Sequence, residues 1–207
     1  MIRVTVSVHM ETQRIFFALP LPPELREQLA SLRDRAVAEL GSGILRPTKT
    51  ENFHITLHFL GEQPRSAIES ARETLREISD NQLPAPRIEL GDLGAFPKAS
   101  AARVLWADAR DVENAAGRVY DALGAALGER SFPLEDRPFL SHITLCYVRK
   151  GVGRPALKRV QQWLERAKGS ETGERTLWTI PRVVLYRSTT GPGGSDYTKL
   201  DHADLAE

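Results

Sequence analysis

Hydrophobic and polar positions along the chain follow two periods, one typical of strands and one typical of helices. Apolar residues that alternate with polar ones, or form a short unbroken run, predict strands over residues 14–19, 53–60, 87–90, 102–109, 139–148 and 182–188. Apolar residues three or four positions apart predict amphipathic helices over residues 24–40, 112–128 and 155–168, and over the stretch that follows Ser66. Ser66 and Glu69 have the spacing of a capping box, which favours a helix start at that point.

The strands predicted at 53–60 and 139–148 both contain the tetrapeptide His-Ile-Thr-Leu. Because successive side chains of a strand lie on opposite faces, each copy is predicted to have one apolar and one polar face. In the first copy the apolar face comprises Phe53, Ile55, Leu57 and Phe59, and the polar face comprises His54, Thr56 and His58. In the second copy the apolar face comprises Ile143, Leu145 and Tyr147, and the opposite face comprises His142, Thr144 and Cys146.

The repeated tetrapeptide belongs to a longer internal duplication. His142 follows His54 by 88 residues, and the neighbouring strands and helices recur at offsets of 88 or 89. This spacing predicts two strand-helix-strand-helix halves, approximately residues 10–95 and 96–200, related by a pseudo-twofold axis. No linker rich in Gly, Ser and Pro separates the halves, so we expect two lobes packed as a single domain over residues 1–207.

Composition narrows the class of protein. The 28 Lys and Arg residues nearly balance the 27 Asp and Glu residues, so a polyanionic partner would have to be bound by a local group of charges. Cys146 is the only cysteine, which excludes an intramolecular disulfide. Apolar runs are all shorter than the roughly 18 residues of a membrane span, and we expect a soluble, cytoplasmic protein with no membrane contact.

The paired motif has the groups needed for phosphodiester chemistry. Isoleucine between His and Thr places the two polar side chains on one strand face, about 6–7 Å apart. If two copies face one another, one imidazole can deprotonate a nucleophile while the other protonates a leaving oxygen. The threonine hydroxyls can donate hydrogen bonds to phosphoryl oxygens. Because the motifs are identical in sequence, the spacing alone does not distinguish the acid from the base.

Two other residues invite different chemistry. His58 lies four residues after His54, which on a helix would suit a shared metal ion. On a strand the same separation is about 13 Å, so we expect His58 to be accessory or exposed. Cys146, on the predicted face of His142, has the reactivity of a nucleophile, although a thiol near the end of a buried strand is more often a packing residue.

With these motifs the sequence resembles the 2H phosphoesterase superfamily, and most closely its RNA 2′,3′-cyclic phosphodiesterases, also called 2′-5′ RNA ligases. The resemblance covers most of the chain and includes HITL at 54–57 and 142–145. The other shared segments, in the same order, are RIFFALPLP at 14–22, TENFHITLHFLGE at 50–62, LGAFPKASAARVLWAD at 93–108 and VVLYRSTTGPGGSDYTKL at 183–200.

The resemblance implies an α+β fold with two pseudo-symmetric lobes, in which antiparallel sheets line a central cleft and the helices lie outside. It implies hydrolysis of a terminal 2′,3′-cyclic phosphate of RNA to a 2′-phosphate, with no metal ion and no cofactor, and ATP-independent 2′-5′ ligation as the reverse reaction with exchanged roles. His54 would be the general acid and His142 the general base, while Thr56 and Thr144 would bind the phosphate. The implied partners are RNA ends; we expect a monomer with no obligate protein partner.

The chain departs from the family pattern around the second motif. Ser141 stands where a proline is common, and Tyr147 stands where relatives have an arginine that binds phosphate. Arg149 shares the strand parity of Tyr147 and is our candidate for that substrate-binding charge, with Lys150 as a second candidate. A solvated strand end is an equally good interpretation of both residues, but these cations favour the second copy as the phosphate clamp.

Three features of the sequence are left with two interpretations. Phe96 and Tyr197 could stack on bases at the rim of the cleft or could be packing residues. The run Gly191-Pro-Gly-Gly194 favours a turn between the last strands over a phosphate-binding loop, because it lacks the Lys-Ser/Thr of a P-loop. The alternatives to RNA hydrolysis are an enzyme for a small cyclic phosphate, such as an ADP-ribose derivative, and an RNA-end-binding protein with incidental catalysis.

Overall fold

The structure is a computed structural model that describes residues 12–167, 176–191 and 194–206. Its helices are α1 Pro23–Leu40, α2 Ala67–Asp80, α3 Ala115–Glu129 and α4 Arg154–Ala167. Its strands are β1 Thr12–Pro20, β2 Leu45–Pro47, β3 His54–Pro64, β4 Arg87–Phe96, β5 Val104–Asp111, β6 His142–Val148, β7 Trp178–Thr179, β8 Arg182–Gly191 and β9 Gly194–Asp204. Residues 10 and 11 of the predicted first half, Lys168 of the last predicted helix, and Pro192 and Gly193 of the predicted turn lie outside the described residues.

The described strands form one antiparallel sheet in the order β7-β4-β5-β6-β3-β1-β8-β9, with β2 also paired to β6. The predicted α+β class with antiparallel strands is therefore confirmed. The two predicted sheets are joined into one, because β3 and β6 pair at a single position, Ile55 opposite Ile143. Beyond that point β6 pairs with β2 instead, so β3 and β6 diverge and a cleft opens between them.

The two halves of the chain exchange their outer strands. β4, from the first half, pairs with β5 of the second half, and β8, from the second half, pairs with β1 of the first. Each side of the sheet is therefore built from both halves. Buried apolar residues of all four helices and of the sheet join in one core cluster, which makes the two sides parts of one packed unit.

The helices agree with the predicted periodicity except at the start of α3, and α2 begins directly after Ser66, as predicted. In α1 the buried residues are the predicted ones: Leu25, Leu29, Leu32, Ala36 and Leu40. The predicted capping box is wrong, because Ser66 makes no capping hydrogen bond and Glu69 instead pairs with Arg72 and Arg76. No described helix combines the length and apolar character that a bilayer span requires.

The start of α3 is the second correction. The prediction began this helix at Val112 and placed that residue on the buried face, but Val112 is 51% exposed. The helix begins at Ala115, because the Asp111 carboxylate accepts hydrogen bonds from the backbone N–H groups of Ala115, Ala116 and Gly117. A carboxylate that accepts these otherwise unpaired donors ends β5 and starts the helix at the same point.

A β-bulge interrupts the alternation in both central strands. Thr56 lies opposite Ala18 but His58 lies opposite Phe17, so Leu57 is an extra residue in β3. In β6, Thr144 lies opposite Trp106 but Cys146 lies opposite Leu105, so Leu145 is the extra residue. Because one extra residue moves every following side chain to the other face, the predicted faces are correct up to the leucine and wrong beyond it.

The bulges reverse four side chains. His58 and Cys146, predicted on the polar face, are buried in the core, with 6% and 0% of their surface exposed. Phe59 and Tyr147, predicted on the apolar face, instead line the cleft. The expectation that His58 is exposed is therefore wrong, whereas an accessory role, its other interpretation, stays a prediction.

Candidate active site

The pairing of Ile55 with Ile143 determines how the two motifs meet. Both isoleucines are fully buried, so the flanking side chains lie on the opposite, cleft-lining face of the sheet. In antiparallel register His54 then lies opposite Thr144, and Thr56 lies opposite His142. In a regular antiparallel pair, directly opposed residues have Cβ atoms about 4.5–5.5 Å apart and diagonal neighbours lie about 7–8 Å apart, and His54 and His142 are in that diagonal relation. Two imidazoles and two hydroxyls thus lie around the point where the two strands pair.

Each imidazole is oriented by a backbone carbonyl two residues earlier. Nδ1 of His54 donates to the carbonyl of Asn52 over 2.7 Å, and Nδ1 of His142 donates to the carbonyl of Leu140 over 2.8 Å. A carbonyl only accepts, so Nδ1 carries the proton in both rings, and Nε2 of the neutral ring is left with a lone pair. The two histidines are therefore held in the same tautomer, with Nε2 available for proton transfer.

The carbonyl that orients His54 is itself held in place. Asn52 is 8% exposed and ends the short 3₁₀ helix Thr50–Asn52, which leads directly into β3. Its side-chain amide donates to the Ser195 carbonyl of β9 over 2.6 Å. An ion pair between Lys49 and Asp196 ties the same loop to the same strand. The position of His54 thus depends on β9, which is more than 130 residues away in the chain.

Both histidines are neutral at pH 7 in the unliganded site. Burial, opposed in part by the hydrogen bond to the Asn52 carbonyl and assisted by the nearby His142, lowers the pKa of His54 to about 4. Burial also lowers the pKa of His142. The Thr56 hydroxyl donates to the lone pair on Nε2 of His54 over 3.0 Å. A ligand that takes a proton from Nε2 must replace this hydrogen bond and supply negative charge that restores the protonated form.

The cleft holds two adjoining cavities that share Thr56 and Phe59. The first, of about 360 Å³, contains His54 and Thr144 together with Arg14, Arg46 and Tyr147. The second, of about 540 Å³, contains His142 and is lined mainly by aromatic and apolar side chains, among them Phe96, Tyr120 and Phe139. Both cavities have aromatic walls, and they differ in charge: the described lining of the His54 cavity has two arginines and no carboxylate, whereas the His142 cavity has one arginine, Arg137, together with Glu135.

Aromatic rings fix both histidines from the side. Tyr197 meets the His54 ring edge-on at 5.3 Å, and Phe96 meets the His142 ring edge-on at 5.0 Å. Phe96 also stacks on Trp106 at 5.1 Å. A side chain at Gly94 would collide with that indole, because its Cβ would lie 2.2 Å from the ring. The two aromatics predicted at the cleft rim thus each contact one of the two histidines.

Two arginines that the sequence analysis did not single out line the His54 cavity. The Arg46 guanidinium lies over the Tyr147 ring at 4.5 Å, and the Arg14 guanidinium lies over the Phe59 ring at 4.7 Å. Arg46 reaches the site because β2 pairs with β6, Arg46 opposite Tyr147. A three-residue strand has too little periodicity to be recognised in the sequence, and the bulge hid the fact that Tyr147 lines the cleft.

Arg149 lies outside both histidine cavities. Its Nε donates to the Ser42 carbonyl over 2.6 Å, and it lines a third cavity together with Lys150. Of the five predicted site residues, the structure therefore brings together His54, His142, Thr56 and Thr144. Arg14 and Arg46 line the cavity of His54, Thr56 and Thr144, and Arg137 lines that of His142.

The structure gives His58 and Cys146 packing roles. His58 stacks on Tyr120 at 4.1 Å and donates from Nε2 to the Tyr120 carbonyl over 2.8 Å, facing away from His54. Burial raises the pKa of the Cys146 thiol to about 12, which suits a packing residue and not a nucleophile. Among the described residues no group of three or more His, Cys, Asp or Glu side chains could hold a metal ion.

Comparison with known proteins gives one consistent result. The family model described as LigT like Phosphoesterase matches residues 19–106. The chain is 33% identical over 133 residues to an RNA 2′,3′-cyclic phosphodiesterase of Aeropyrum pernix, which covers 64% of this chain and 73% of that protein. It is 30% identical over 200 residues to the RNA 2′,3′-cyclic phosphodiesterase of Escherichia coli strain K12, covering 95% of this chain and 99% of that protein. The crystal structure of the protein TT0787 of Thermus thermophilus superposes with a TM-score of 0.72 at 27% identity, over 93% of this chain and 97% of that one.

Proposed function

The chain belongs to the LigT-like phosphoesterase family, and from that premise we propose that it hydrolyses the 2′,3′-cyclic phosphate at the end of an RNA chain to a 2′-phosphate. The observation that supports this most is the antiparallel pairing of the two motifs at Ile55 and Ile143. It places two imidazoles diagonally across a space lined by two hydroxyls and two guanidinium groups. That set of groups matches the needs of a cyclic phosphodiester, with one acid, one base and donors for the phosphoryl oxygens.

In the proposed reaction, Nε2 of His142 takes a proton from a water molecule that attacks phosphorus. The bond between phosphorus and O3′ breaks, and His54 donates its Nε2 proton to O3′. The phosphate then remains on O2′. Each histidine ends in the protonation state in which the other began, and proton exchange with water restores both. His54 and His142 lie diagonally across the paired strands, so phosphorus can lie between their two Nε2 atoms.

The hydroxyls of Thr56 and Thr144 would donate to the two non-bridging oxygens, where charge grows as water adds. Arg14 and Arg46, in the same cavity, supply positive charge. The phosphate anion would also raise the pKa of His54 from its low value in the empty site, because an adjacent negative charge favours the imidazolium. Substrate binding therefore favours the protonated form of His54, which is the form that acts as the acid.

The test is to incubate the protein, in EDTA, with an oligonucleotide that ends in a 2′,3′-cyclic phosphate and to identify the product isomer. We expect a 2′-phosphate, and we expect His54→Ala and His142→Ala each to abolish its formation. His202→Ala, which changes an exposed histidine of β9, is the matched control and should leave turnover unchanged. Full turnover in either site variant would exclude the two-histidine mechanism, and a 3′-phosphate product would exclude O3′ as the leaving group.

Joining of the cyclic end to a 5′-hydroxyl would follow the same route, with that hydroxyl in the place of water. His142 would deprotonate it and His54 would protonate O3′, which leaves a 2′-5′ link. Cleavage of that link is the reverse of ligation. His54 would therefore be the base and His142 the acid in this cleavage, and not in ligation as the sequence analysis expected. Ligation is measured without ATP, by mixing an RNA that ends in the cyclic phosphate with one that begins with a 5′-hydroxyl. Joining that survives in His54→Ala or His142→Ala would show that it does not use this site.

A further inference from the structure

A cavity of about 930 Å³ adjoins the His54 cavity. Arg46 and Tyr147 line both cavities, so this stacked pair lies at the boundary between the two. Arg149 and Lys150 line the larger cavity just after β6 ends, and Arg103 lines it just before β5, the strand paired with β6, begins. We call this space, with Arg46, Arg103, Arg149 and Lys150, the basic cavity.

The basic cavity concentrates one sign of charge in a protein that is nearly neutral. Its lining contains four cationic residues and no acidic one, whereas the whole chain has a net charge of +1. The ion pairs found among the described residues leave these four cations unpaired with any carboxylate. Four neighbouring cations repel one another, so this arrangement favours an anionic ligand that lies across them.

Two contacts hold cations of this group in place. Arg46 is stacked over Tyr147, and the Nε of Arg149 is bonded to the Ser42 carbonyl, so that its two terminal nitrogens remain for a ligand. The lining also contains apolar side chains, among them Val104, Val152 and Leu157. Guanidinium and ammonium groups beside an apolar wall suit a chain in which phosphates alternate with sugars and bases.

The other neighbour of the site does not have this character. The His142 cavity contains one acidic and one basic residue, Glu135 and Arg137, and is otherwise aromatic or apolar apart from the histidines and Thr56. A base can stack there, but a row of phosphates would gain little. The phosphates of a longer substrate therefore find matching positive charge in the basic cavity and not in the His142 cavity.

We propose that the basic cavity binds the phosphodiester backbone of the RNA on the 5′ side of the terminal nucleotide. This inference rests on the proposed function, which places the cyclic phosphate between His54 and His142. It goes further, because it makes an oligonucleotide the preferred substrate over a nucleoside 2′,3′-cyclic monophosphate or another small cyclic phosphate. The volume of the basic cavity lies at the upper end of the roughly 300–1,000 Å³ of ordinary ligand pockets, which is enough for at least one more nucleotide unit.

The kinetic test compares uridine 2′,3′-cyclic monophosphate with di-, tri- and tetranucleotides that end in the same cyclic phosphate. We expect KM to fall at least about tenfold when the first phosphodiester is added, and to rise again with salt. Arg103→Gln/Lys150→Gln, which removes two exposed cations outside the catalytic groups, should raise the oligonucleotide KM about five- to thirtyfold. The mononucleotide KM and kcat should not change.

The matched control is Arg118→Gln/Lys199→Gln, which removes the same two charges from exposed positions on α3 and β9, outside the cavity. It should keep the oligonucleotide KM of the wild type. A plot of log KM against log salt concentration should also be steeper for the wild type than for Arg103→Gln/Lys150→Gln, by about 1.4. Each phosphate of a single strand that a Lys or Arg neutralises contributes about 0.7 to this slope, and the variant lacks two such side chains.

Binding gives a readout that does not depend on turnover. The affinity of His142→Ala for a fluorescent tetranucleotide ending in a cyclic phosphate should fall when Arg103→Gln/Lys150→Gln is added, and should not fall with the control pair. Equal affinities would overturn the basic cavity as the backbone site, as would equal KM values for mono- and oligonucleotides. Loss of hydrolysis of every substrate with the affinity difference intact would instead reject the proposed function alone.

Discussion

The two His-Ile-Thr-Leu copies have the same local geometry in different surroundings. In both, Nδ1 of the histidine donates to the carbonyl two residues earlier, and in both a bulge occurs at the leucine. Both cavities have aromatic walls, but His54 lies in the one with two arginines, whereas His142 lies in the one where a single arginine, Arg137, is accompanied by Glu135. The duplicated residues thus reproduce the placement of the histidines, and residues that are not duplicated give each one its own electrostatic environment.

The arginines show how that difference arises. Phe59 and Tyr147 occupy equivalent positions after the two bulges, and each carries a guanidinium over its ring. Arg14 comes from β1, which pairs with the strand of the first copy. Arg46 comes from β2, a strand of the first half that pairs with the strand of the second copy. Both arginines line the His54 cavity. The expectation that the end of the second copy carries the phosphate clamp therefore gives way to a proposed clamp of Arg14 and Arg46.

A substrate whose leaving group needs no proton should distinguish the roles of His54 and His142 by the largest effect. If O3′ of the cyclic phosphate is replaced by sulfur, the leaving thiolate departs without a proton. We expect His54→Ala to lose about 10³-fold in kcat on the oxygen substrate, within the range for acid–base groups, and to regain most of it on the sulfur substrate. His142→Ala should lose as much and regain nothing, because water still needs its base.

Single-turnover rates of both variants on both substrates measure this difference. Rescue of His142→Ala in place of His54→Ala would exchange the acid and the base that we assign. Equal rescue of both would mean that the two copies are equivalent in role as well as in geometry. His202→Ala provides the reference rate on each substrate.

The second difference concerns proton affinity and is measured by stability. His54 has a pKa of about 4 in the folded state against about 6.5 unfolded, so the unfolded state binds the extra proton between these values. The contribution of His54 to the free energy of unfolding is therefore fully present above about pH 6.5. It is lost as the pH falls, by up to about 3 kcal/mol at pH 4. Urea unfolding should show a smaller acid loss in His54→Gln than in the wild type.

The same substitution at His142 gives the comparison. The His142 ring is more exposed than that of His54, so we expect His142→Gln to recover less of the acid loss. If the two variants have the same pH dependence, burial does not distinguish the copies. Parallel curves for His54→Gln and the wild type would show that the pKa of His54 is not lowered.

The third difference is the clamp. Arg46→Gln should lower kcat/KM for uridine 2′,3′-cyclic monophosphate about ten- to a hundredfold, as expected for a charged donor to phosphate, and Arg46→Lys should recover part of the loss. Arg149→Gln should leave the mononucleotide reaction unchanged, because Arg149 lies outside the histidine cavities. A larger loss in Arg149→Gln than in Arg46→Gln would return the clamp to the end of the second copy.

Sequence periodicity predicted most of the fold and less of the site. The helix face of α1 and the shared face of His and Thr in each motif followed from spacing, because those segments are regular, whereas the pairing of the two motif strands in one sheet did not. The positions of His58, Tyr147 and Cys146 did not, because a bulge is a property of two paired strands and leaves no period in one of them. Arg46 was missed for the same reason, since only the short pairing of β2 with β6 brings it to the site.

The smallest effect tests the bulge itself, at Cys146. If the alternation continued through Leu145, the thiol would lie on the cleft face next to Thr144, and alkylation by iodoacetamide would obstruct the site. In the structure it is fully buried and burial raises its pKa to about 12, so we expect alkylation to be slow in the folded protein and activity to persist. Cys146→Ala should cost about 1 kcal/mol of stability, as for loss of one core atom, with turnover unchanged. Rapid inactivation by iodoacetamide that Cys146→Ala prevents would mean that the two strands lack the shared bulge, and with it the reason why Tyr147 and Arg46 reach the cleft.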